Sequence, residues 1–211
     1  MEQGGGQNVA ELAKRLEAWD SLERRDVLDL AEYCAQIKEK RWHGPGGRIQ
    51  PTLGKMIRVV LAARGRDASV EAVKEYQRSE FGRVGKETLI AELLPLPSRS
   101  VGDWIYGDIC DLPYLKTREA YRTELRPKRV ELLGRLIDRH EPHAVVMVGW
   151  SYSEEWKAIT KAPLEERDTP HPGILVGSRG KTQFVVCRHP TAFGVTNAYF
   201  AEIGGMLRGQ R

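Results

Sequence analysis

Phe184-Val-Val-Cys-Arg-His-Pro-Thr-Ala-Phe-Gly-Val-Thr-Asn197 is the stretch that decides the fold and the candidate site. Its first four residues form a short apolar run, which is typical of a buried parallel strand. A polar loop with one glycine follows and leads into a predicted helix over 198–207. Ligands of open α/β sheets bind at the carboxyl ends of strands, because loops there present side chains from a rigid platform. We therefore expect a functional site that contains Arg188, His189, Thr191 and Asn197.

Strands and helices alternate along most of the chain. The run 144–149 is the clearest strand, and 88–97 is typical of a buried strand that ends at its prolines. Two further runs, 173–176 and 182–187, flank Ser178-Arg-Gly-Lys181, which suits a tight turn between paired strands. This alternation predicts an α/β fold: a three-layer α/β/α sandwich with a short, mainly parallel central sheet.

We predict a single domain, 1–211, in which residues 1–42 form an N-terminal helical segment. Apolar residues at three- and four-residue steps predict two amphipathic helices within that segment. Further helices are predicted over 51–63, 69–81, 117–140 and 154–160, with a kink or break at Pro127. The basic side chains after Pro51, which include Lys55 and Arg58, indicate a solvated helix face.

Composition limits the class of protein. The chain is 41% hydrophobic and 29% charged, which is ordinary for a soluble globular protein. It shows neither a membrane-spanning apolar run of roughly 20 residues nor a signal-peptide pattern, so we expect a cytoplasmic location. We also expect a monomer. The three cysteines, 34, 110 and 187, have no metal-site or disulfide spacing, and we predict no metal and no cofactor. The net charge of +4 permits a nucleic-acid partner without requiring one.

Three of the predicted strands end in polar loops: Ser98-Arg99-Ser100, Gly149 to Ser153, and Arg188 to Thr191. If the strands are parallel neighbours, all three loops meet at one edge of the sheet. Hydroxyl groups and backbone N–H groups at helix starts bind phosphate, and aromatic rings stack on bases. The aromatic residues expected to flank this cleft are Trp104, Tyr106, Trp150 and Tyr152.

Four stretches, in this order, resemble the uracil-DNA glycosylase superfamily. They are Gly44-Pro-Gly-Gly-Arg-Ile-Gln-Pro-Thr-Leu-Gly-Lys-Met-Ile-Arg-Val-Val-Leu61, Ala91-Glu-Leu-Leu-Pro-Leu-Pro-Ser98, Ala144-Val-Val-Met-Val-Gly149 and Cys187-Arg-His-Pro-Thr191. Members of that superfamily show a Gly-rich approach to a helix, a strand before a Pro/Ser loop, a strand that ends in Gly, and a last strand that ends in His-Pro-Ser or His-Pro-Thr. The resemblance covers about residues 45–207.

The resemblance implies a role for each matched residue. His189 would donate a hydrogen bond to the carbonyl oxygen of the departing base. Pro190 and Thr191 would begin the loop that enters the minor groove of double-stranded DNA and holds a flipped base. Arg48 and Gln50 would lie near the base pocket, with Trp104 and Tyr106. The DNA backbone would be held by Ser98, Arg99, Ser100, Ser151, Ser153, Arg188, Thr191 and Asn197.

The first motif of the superfamily, a strand followed by a water-positioning Asp, Asn or Glu, has no clear match. Asn8 is one candidate for this catalytic role, and Glu32 is another. A missing group is the third alternative, which would leave a non-catalytic DNA-binding relative. The Leu-Leu-Pro-Leu-Pro and Arg-Trp-His-Gly stretches look closer to anti-phage glycosylases that remove modified cytosines than to uracil-excising enzymes.

A serine hydrolase is the rival interpretation. Gly149-Trp-Ser-Tyr-Ser153 approaches the G-x-S-x-G elbow, with Ser151 as nucleophile and Asp168 and then His171 or His189 in the required order. Ser153 stands where the second glycine of that elbow is expected.

Overall fold

The computed structural model describes residues 8–25, 27–44, 46–98, 100 and 102–208. Four strands form one sheet: β1 (Ala144–Val148), β2 (Glu165–Glu166), β3 (Leu175–Arg179) and β4 (Thr182–Cys187). The α-helices that the described residues form are α1 (Val9–Ser21), α2 (Leu30–Gln36), α3 (Lys40–His43), α4 (Pro51–Ala63), α5 (Val70–Ser79), α6 (Tyr106–Ile109), α7 (Arg118–His140), α8 (Ser153–Thr160) and α9 (Asn197–Arg208). The same residues also form two short 3-10 helices, Pro113–Leu115 and Trp150–Tyr152.

The sheet is mixed, with the strand order β1-β4-β3-β2. The pair β1 and β4 is parallel, whereas β3 is antiparallel to both β4 and β2. The mainly parallel sheet predicted from the sequence is therefore wrong. The reason is the tight turn at Gly180, with φ of 57°, because a connection this short can join only antiparallel strands.

Helices cover both faces of this sheet, as the alternation of side chains along β4 requires. Phe184 and Val186 pack with α7 and α8 on one side of the sheet. Val185 and Cys187 pack with α9 and with Met56, Val59 and Ala63 of α4 on the other side. The helices on the two faces make the α/β class of the fold clear. A third apolar cluster joins α4 to α5, and Ile49, which follows the glycines of the Gly-rich loop, packs against it.

The stretch 88–97 is not a strand, which corrects the sequence prediction. Leu93 and Leu94 are only 1% exposed, so the apolar run is buried as expected. Its backbone groups, however, bond to side chains of α7: the Leu96 N–H donates to the Tyr121 hydroxyl at 3.1 Å, and Arg129 donates to the Glu92 carbonyl. Prolines at 95 and 97 remove two N–H donors, which leaves too few for a strand ladder.

Helix α7 continues through Pro127 over 23 residues, all of them described, so Pro127 does not break the helix. Within the described ranges, no helix has the length and apolar character that a membrane crossing requires.

Close packing of α4 on α9 supports the sheet face behind the candidate site, and Gly204 makes this approach possible. A methyl group at position 204 would lie 2.4 Å from the Val59 carbonyl oxygen and 2.6 Å from the Ala62 Cβ. We expect Gly204→Ala to lower the free energy of unfolding by about 1–3 kcal/mol, because the helices must separate. Urea denaturation measures this change.

The matched control is Gly205→Ala, one residue further along α9. A methyl group at position 205 meets open space, and alanine favours helix by roughly 1 kcal/mol over glycine. Equal stability changes in the two variants would contradict the packing of α4 on α9.

Candidate active site

Two strand ends meet at the candidate site. β1 and β4 are parallel neighbours, and the Gly149 N–H donates to the Cys187 carbonyl at 2.9 Å. The loops that follow, at 150–153 and 188–191, therefore leave the same edge of the sheet, which confirms two of the three predicted strand-end loops. The third predicted loop, at 98–100, follows no strand.

His189 is partly buried, and its ring is held by its own loop. The Thr191 N–H donates to His189 Nδ1 at 3.2 Å, and the Thr191 hydroxyl lies 2.8 Å from the same nitrogen. Burial lowers the pKa of His189, and the positive charge of Lys55 lowers it further. A neutral ring whose Nδ1 accepts hydrogen bonds carries its proton on Nε2. His189 is therefore arranged as an Nε2–H donor.

Lys55 of α4 ties down the loop that follows His189, although its place in the sequence indicated a solvated face. Its amino group donates to the Pro190 carbonyl and, at 2.8 Å, to the Val195 carbonyl. Burial, and then the charge of Arg58, lowers the pKa of Lys55. The loop 190–195 is thus clamped at both ends by one side chain. No sequence pattern signals this contact, because the acceptors are backbone carbonyls about 140 residues away.

Phe193 stands at the tip of this clamped loop and is 98% exposed. Pro190 and Val195, at the two ends of the loop, are buried. Gly194, beside Phe193, has a φ of +75°, which turns the chain back. A large aromatic ring is consequently presented to solvent from a firmly anchored base.

Arg188 joins the strand end to the same loop. Its N–H donates to the Tyr199 hydroxyl at 2.9 Å, and this hydroxyl donates to the Gly173 carbonyl at 2.9 Å. The Arg188 guanidinium donates to the Phe193 carbonyl at 3.1 Å. Arg188 therefore supports the loop as well as adding positive charge beside His189.

Thr191 lies in the loop before α9, and Asn197 lies at the start of that helix. Thr191 is exposed, and its hydroxyl is engaged with the His189 ring. Asn197 is the first residue of α9 and is exposed. Thr196 caps the helix, since its hydroxyl accepts from the Tyr199 N–H at 3.3 Å. The side chain of Asn197 is not needed for that cap.

The two described residues of the predicted phosphate loop, Ser98 and Ser100, bond to each other and to α7. Ser98 is buried, and its hydroxyl bonds the Ser100 and Asp103 carbonyls, each at 2.7 Å. Its expected contact with DNA is therefore corrected to a structural role in this loop. Ser100 is exposed, and its carbonyl accepts from Arg118 at 2.7 Å. Arg99 lies outside the described residues.

Trp104 and Tyr106, predicted to line a base pocket, belong to the packing beside α7. Their ring centroids are 4.7 Å apart, and Trp104 also packs on Tyr121. The Tyr106 hydroxyl donates to the Pro97 carbonyl at 2.8 Å, and the Trp104 indole donates to the Leu115 carbonyl at 2.8 Å. The apolar surface of these rings, expected to receive a base, is used for core packing instead.

Gln50, the second residue predicted near a base pocket, caps α4. Its side-chain oxygen accepts from the Leu53 N–H at 2.5 Å. Buried Gln77 fixes the approach to this helix: it accepts from the Gln50 N–H and donates to the Arg48 carbonyl. Arg48 has an exposed side chain. The Gly-rich loop is therefore rigid at its end, with Arg48 directed to the surface.

The two candidates for the water-positioning role have other partners. Asn8 is the N-cap of α1, where its side-chain oxygen accepts from the Glu11 N–H at 2.9 Å. Glu32 is exposed on α2 and pairs with Arg25 at 3.2 Å. Asn8 therefore has the role of a helix cap, and Glu32 has that of one partner in a surface ion pair.

Ser151 and Ser153 lie in the loop after β1, and their geometry does not support a nucleophile elbow. Ser151 is exposed in a short 3-10 helix over 150–152. The positive φ of this turn, 107°, falls at Gly149 and not at the serine, where the elbow stores its strain. Ser153 is partly buried at the start of α8, beside two glutamates that oppose anion binding there.

Both histidines that such a hydrolase could use as a base have other partners. The His189 ring bonds Thr191, and His171 lies 3.7 Å from Glu202. Asp168 is exposed. The structure thus brings His189 together with Lys55, Arg188 and Phe193, and two of these four, Lys55 and Phe193, were not among the predicted site residues.

In the residues that the structure describes, no group of three His, Cys, Asp or Glu side chains is arranged to hold a metal ion. Comparisons with protein-family models, with curated proteins and with solved structures found no match for this chain.

Proposed function

We propose that this chain is a DNA glycosylase of the uracil-DNA glycosylase type. It would act as a cytoplasmic monomer without a cofactor, flip a base out of double-stranded DNA, and hydrolyse its N-glycosidic bond to leave an abasic site. The observation that supports this proposal is the pairing of a neutral His189 with an exposed Phe193 on one loop, which Lys55 clamps to α4.

The chemistry of the site suits a leaving base. Negative charge develops on the base as the glycosidic bond breaks, and a fixed N–H donor stabilises it best where solvent is partly excluded. His189 Nε2–H is such a donor, because Nδ1 is already bonded and burial keeps the ring neutral. Lys55 and Arg188 add positive potential beside it.

Access to a base inside a duplex requires that it leave the stack. Proteins that unstack DNA commonly insert an apolar wedge between base steps, and phenylalanine is one of the residues used. Phe193 has the exposure and the anchored loop that such a wedge needs. The substrate that we propose is a modified base, such as glucosylated hydroxymethylcytosine of phage DNA; uracil is the alternative.

A non-catalytic DNA-binding protein is the second candidate. The observation that favours it concerns the attacking water: Asn8 caps α1 and Glu32 pairs with Arg25, so neither is an evident positioning group. Duplexes that contain uracil, methylcytosine or glucosylated hydroxymethylcytosine separate the two functions. Abasic sites, detected by alkaline strand cleavage, support the glycosylase, whereas salt-dependent binding without them supports the binding protein.

We expect Phe193→Ala to lower the excision rate on duplex DNA by roughly 10-fold, because unstacking costs a few kcal/mol per step and the wedge offsets part of that cost. The rate on the same sequence as a single strand should change little. The measurement is the ratio of the two single-turnover rates for the variant and for the original chain.

Leu89→Ala is the control, since Leu89 is another exposed large apolar side chain. It should leave both rates unchanged. If Phe193→Ala lowers the excision rate equally on duplex and single-stranded DNA, Phe193 does not act as a wedge.

A further inference from the structure

Trp150, one of the four aromatic residues predicted to flank the cleft, is exposed beside the candidate site. It directly follows Gly149 at the carboxyl end of β1 and is 38% exposed. Single exposed aromatic residues are common on protein surfaces, so exposure alone assigns nothing. What distinguishes Trp150 is the side chain next to it.

Arg188 and Trp150 approach each other across Gly173. A methyl group at position 173 would lie 3.1 Å from Arg188 Cγ, 3.2 Å from Arg188 Cδ and 3.9 Å from Trp150 Cε3. Gly173 has a φ of +85°, a conformation that other residues adopt only with strain. The aliphatic stem of Arg188 and the edge of the indole therefore flank the same glycine.

Arg188 is held in position by hydrogen bonds at both its backbone and its side chain. The Arg188 backbone is bonded to Tyr199, and its guanidinium is bonded to the Phe193 carbonyl. Trp150 begins a short 3-10 helix, in which the Tyr152 N–H donates to the Gly149 carbonyl at 3.2 Å. The Arg188 side chain is therefore pre-arranged and loses little conformational entropy when a ligand binds, and the backbone of Trp150 lies in a hydrogen-bonded turn.

We propose that Trp150 and Arg188 form a stacking platform for an unpaired nucleobase. An indole face stacks on any base, and an adjacent guanidinium adds both stacking and attraction for the neighbouring phosphate. This inference rests on the proposed contact with DNA and extends it, since it assigns the surface that receives an unstacked base. Of the aromatic residues predicted to flank the cleft, Trp104 and Tyr106 pack in the core, whereas Trp150 is exposed.

The test uses a single-stranded thymidine oligonucleotide of about ten nucleotides, within the range of site sizes for single-strand binding. Tryptophan fluorescence and fluorescence anisotropy are followed in the same titration. In the original chain, we expect the oligonucleotide to quench fluorescence. Trp150→Phe should lose most of the quenching but keep the affinity within about 2-fold, because an aromatic face remains. Trp150→Ala should bind about 5- to 150-fold more weakly.

Trp19 supplies the matched control, because it is 40% exposed on α1 and also lies beside an arginine, Arg24. Trp19→Phe should keep the quenching, and Trp19→Ala should keep the affinity. Thermal unfolding of Trp150→Ala shows whether this variant is folded. If Trp150→Ala is unstable, the loss of quenching in Trp150→Phe still tests the proposal.

Quenching that persists in Trp150→Phe would overturn the platform, and so would the absence of oligonucleotide binding by the original chain. The inference and the proposed reaction fail separately. If the original chain excises a base and Trp150→Ala binds the oligonucleotide as tightly as the original chain does, the platform is refuted and the glycosylase proposal stands. If oligonucleotide binding depends on Trp150 but no base is released from DNA, the glycosylase proposal is refuted and the platform stands.

Discussion

Replacement of His189 by alanine is expected to lower the base-excision rate by roughly 10²-fold or more, which is the usual cost of losing one donor to a developing oxyanion. The physical reason is the fixed position of Nε2–H. Thr191 bonds the opposite ring nitrogen, and burial lowers the pKa of the ring. The rate of single-turnover excision, measured with enzyme in saturating excess over DNA, reports the chemical step separately from binding.

DNA affinity should change little in His189→Ala, because the ring contributes a donor and not a charge at neutral pH. His140→Ala is the control, since His140 is exposed at the end of α7. An unchanged excision rate in His189→Ala would refute the role of His189.

Replacement of Lys55 by methionine is expected to lower excision by about 10- to 100-fold, because small misplacements of catalytic groups carry losses of this size. Methionine keeps the length of the side chain but cannot donate to the Pro190 and Val195 carbonyls. We also expect the free energy of unfolding to fall by about 1–3 kcal/mol, since these carbonyls lose their partner.

Lys74→Met is the control for Lys55→Met, because Lys74 is an exposed lysine on α5. Single-turnover rates and urea denaturation of both variants separate loop positioning from net charge. If Lys55→Met and Lys74→Met excise bases at the same rate, the clamp has no catalytic importance.

Local sequence patterns predicted the elements around the site well. The apolar runs at 144–148 and 182–187 are the parallel pair, and their loops lie together as expected. The turn around Gly180 joins two paired strands. These predictions held because each depends on short-range chemistry: buried apolar runs, a glycine with positive φ, and helix periodicity.

Long-range competition explains the errors. The 88–97 run has strand-like composition, but α7 takes its free backbone groups through Tyr121 and Arg129. Trp104 and Tyr106 are aromatic residues near a polar loop, yet core packing uses them. Periodicity reports which face of a helix is apolar and cannot report that Lys55 reaches carbonyls of a distant loop.

Release of free base from DNA is the measurement that tests the central claim most directly. Phage DNAs that carry different modified cytosines, and uracil-containing DNA, would be incubated with the original chain and with His189→Ala, and the small-molecule fraction would be analysed by mass spectrometry. The glycosylase account predicts an intact free base, with an equal number of abasic sites, from at least one of these DNAs and at least 10²-fold less with His189→Ala. No free base from any of them, while the chain still binds the DNA, would contradict it.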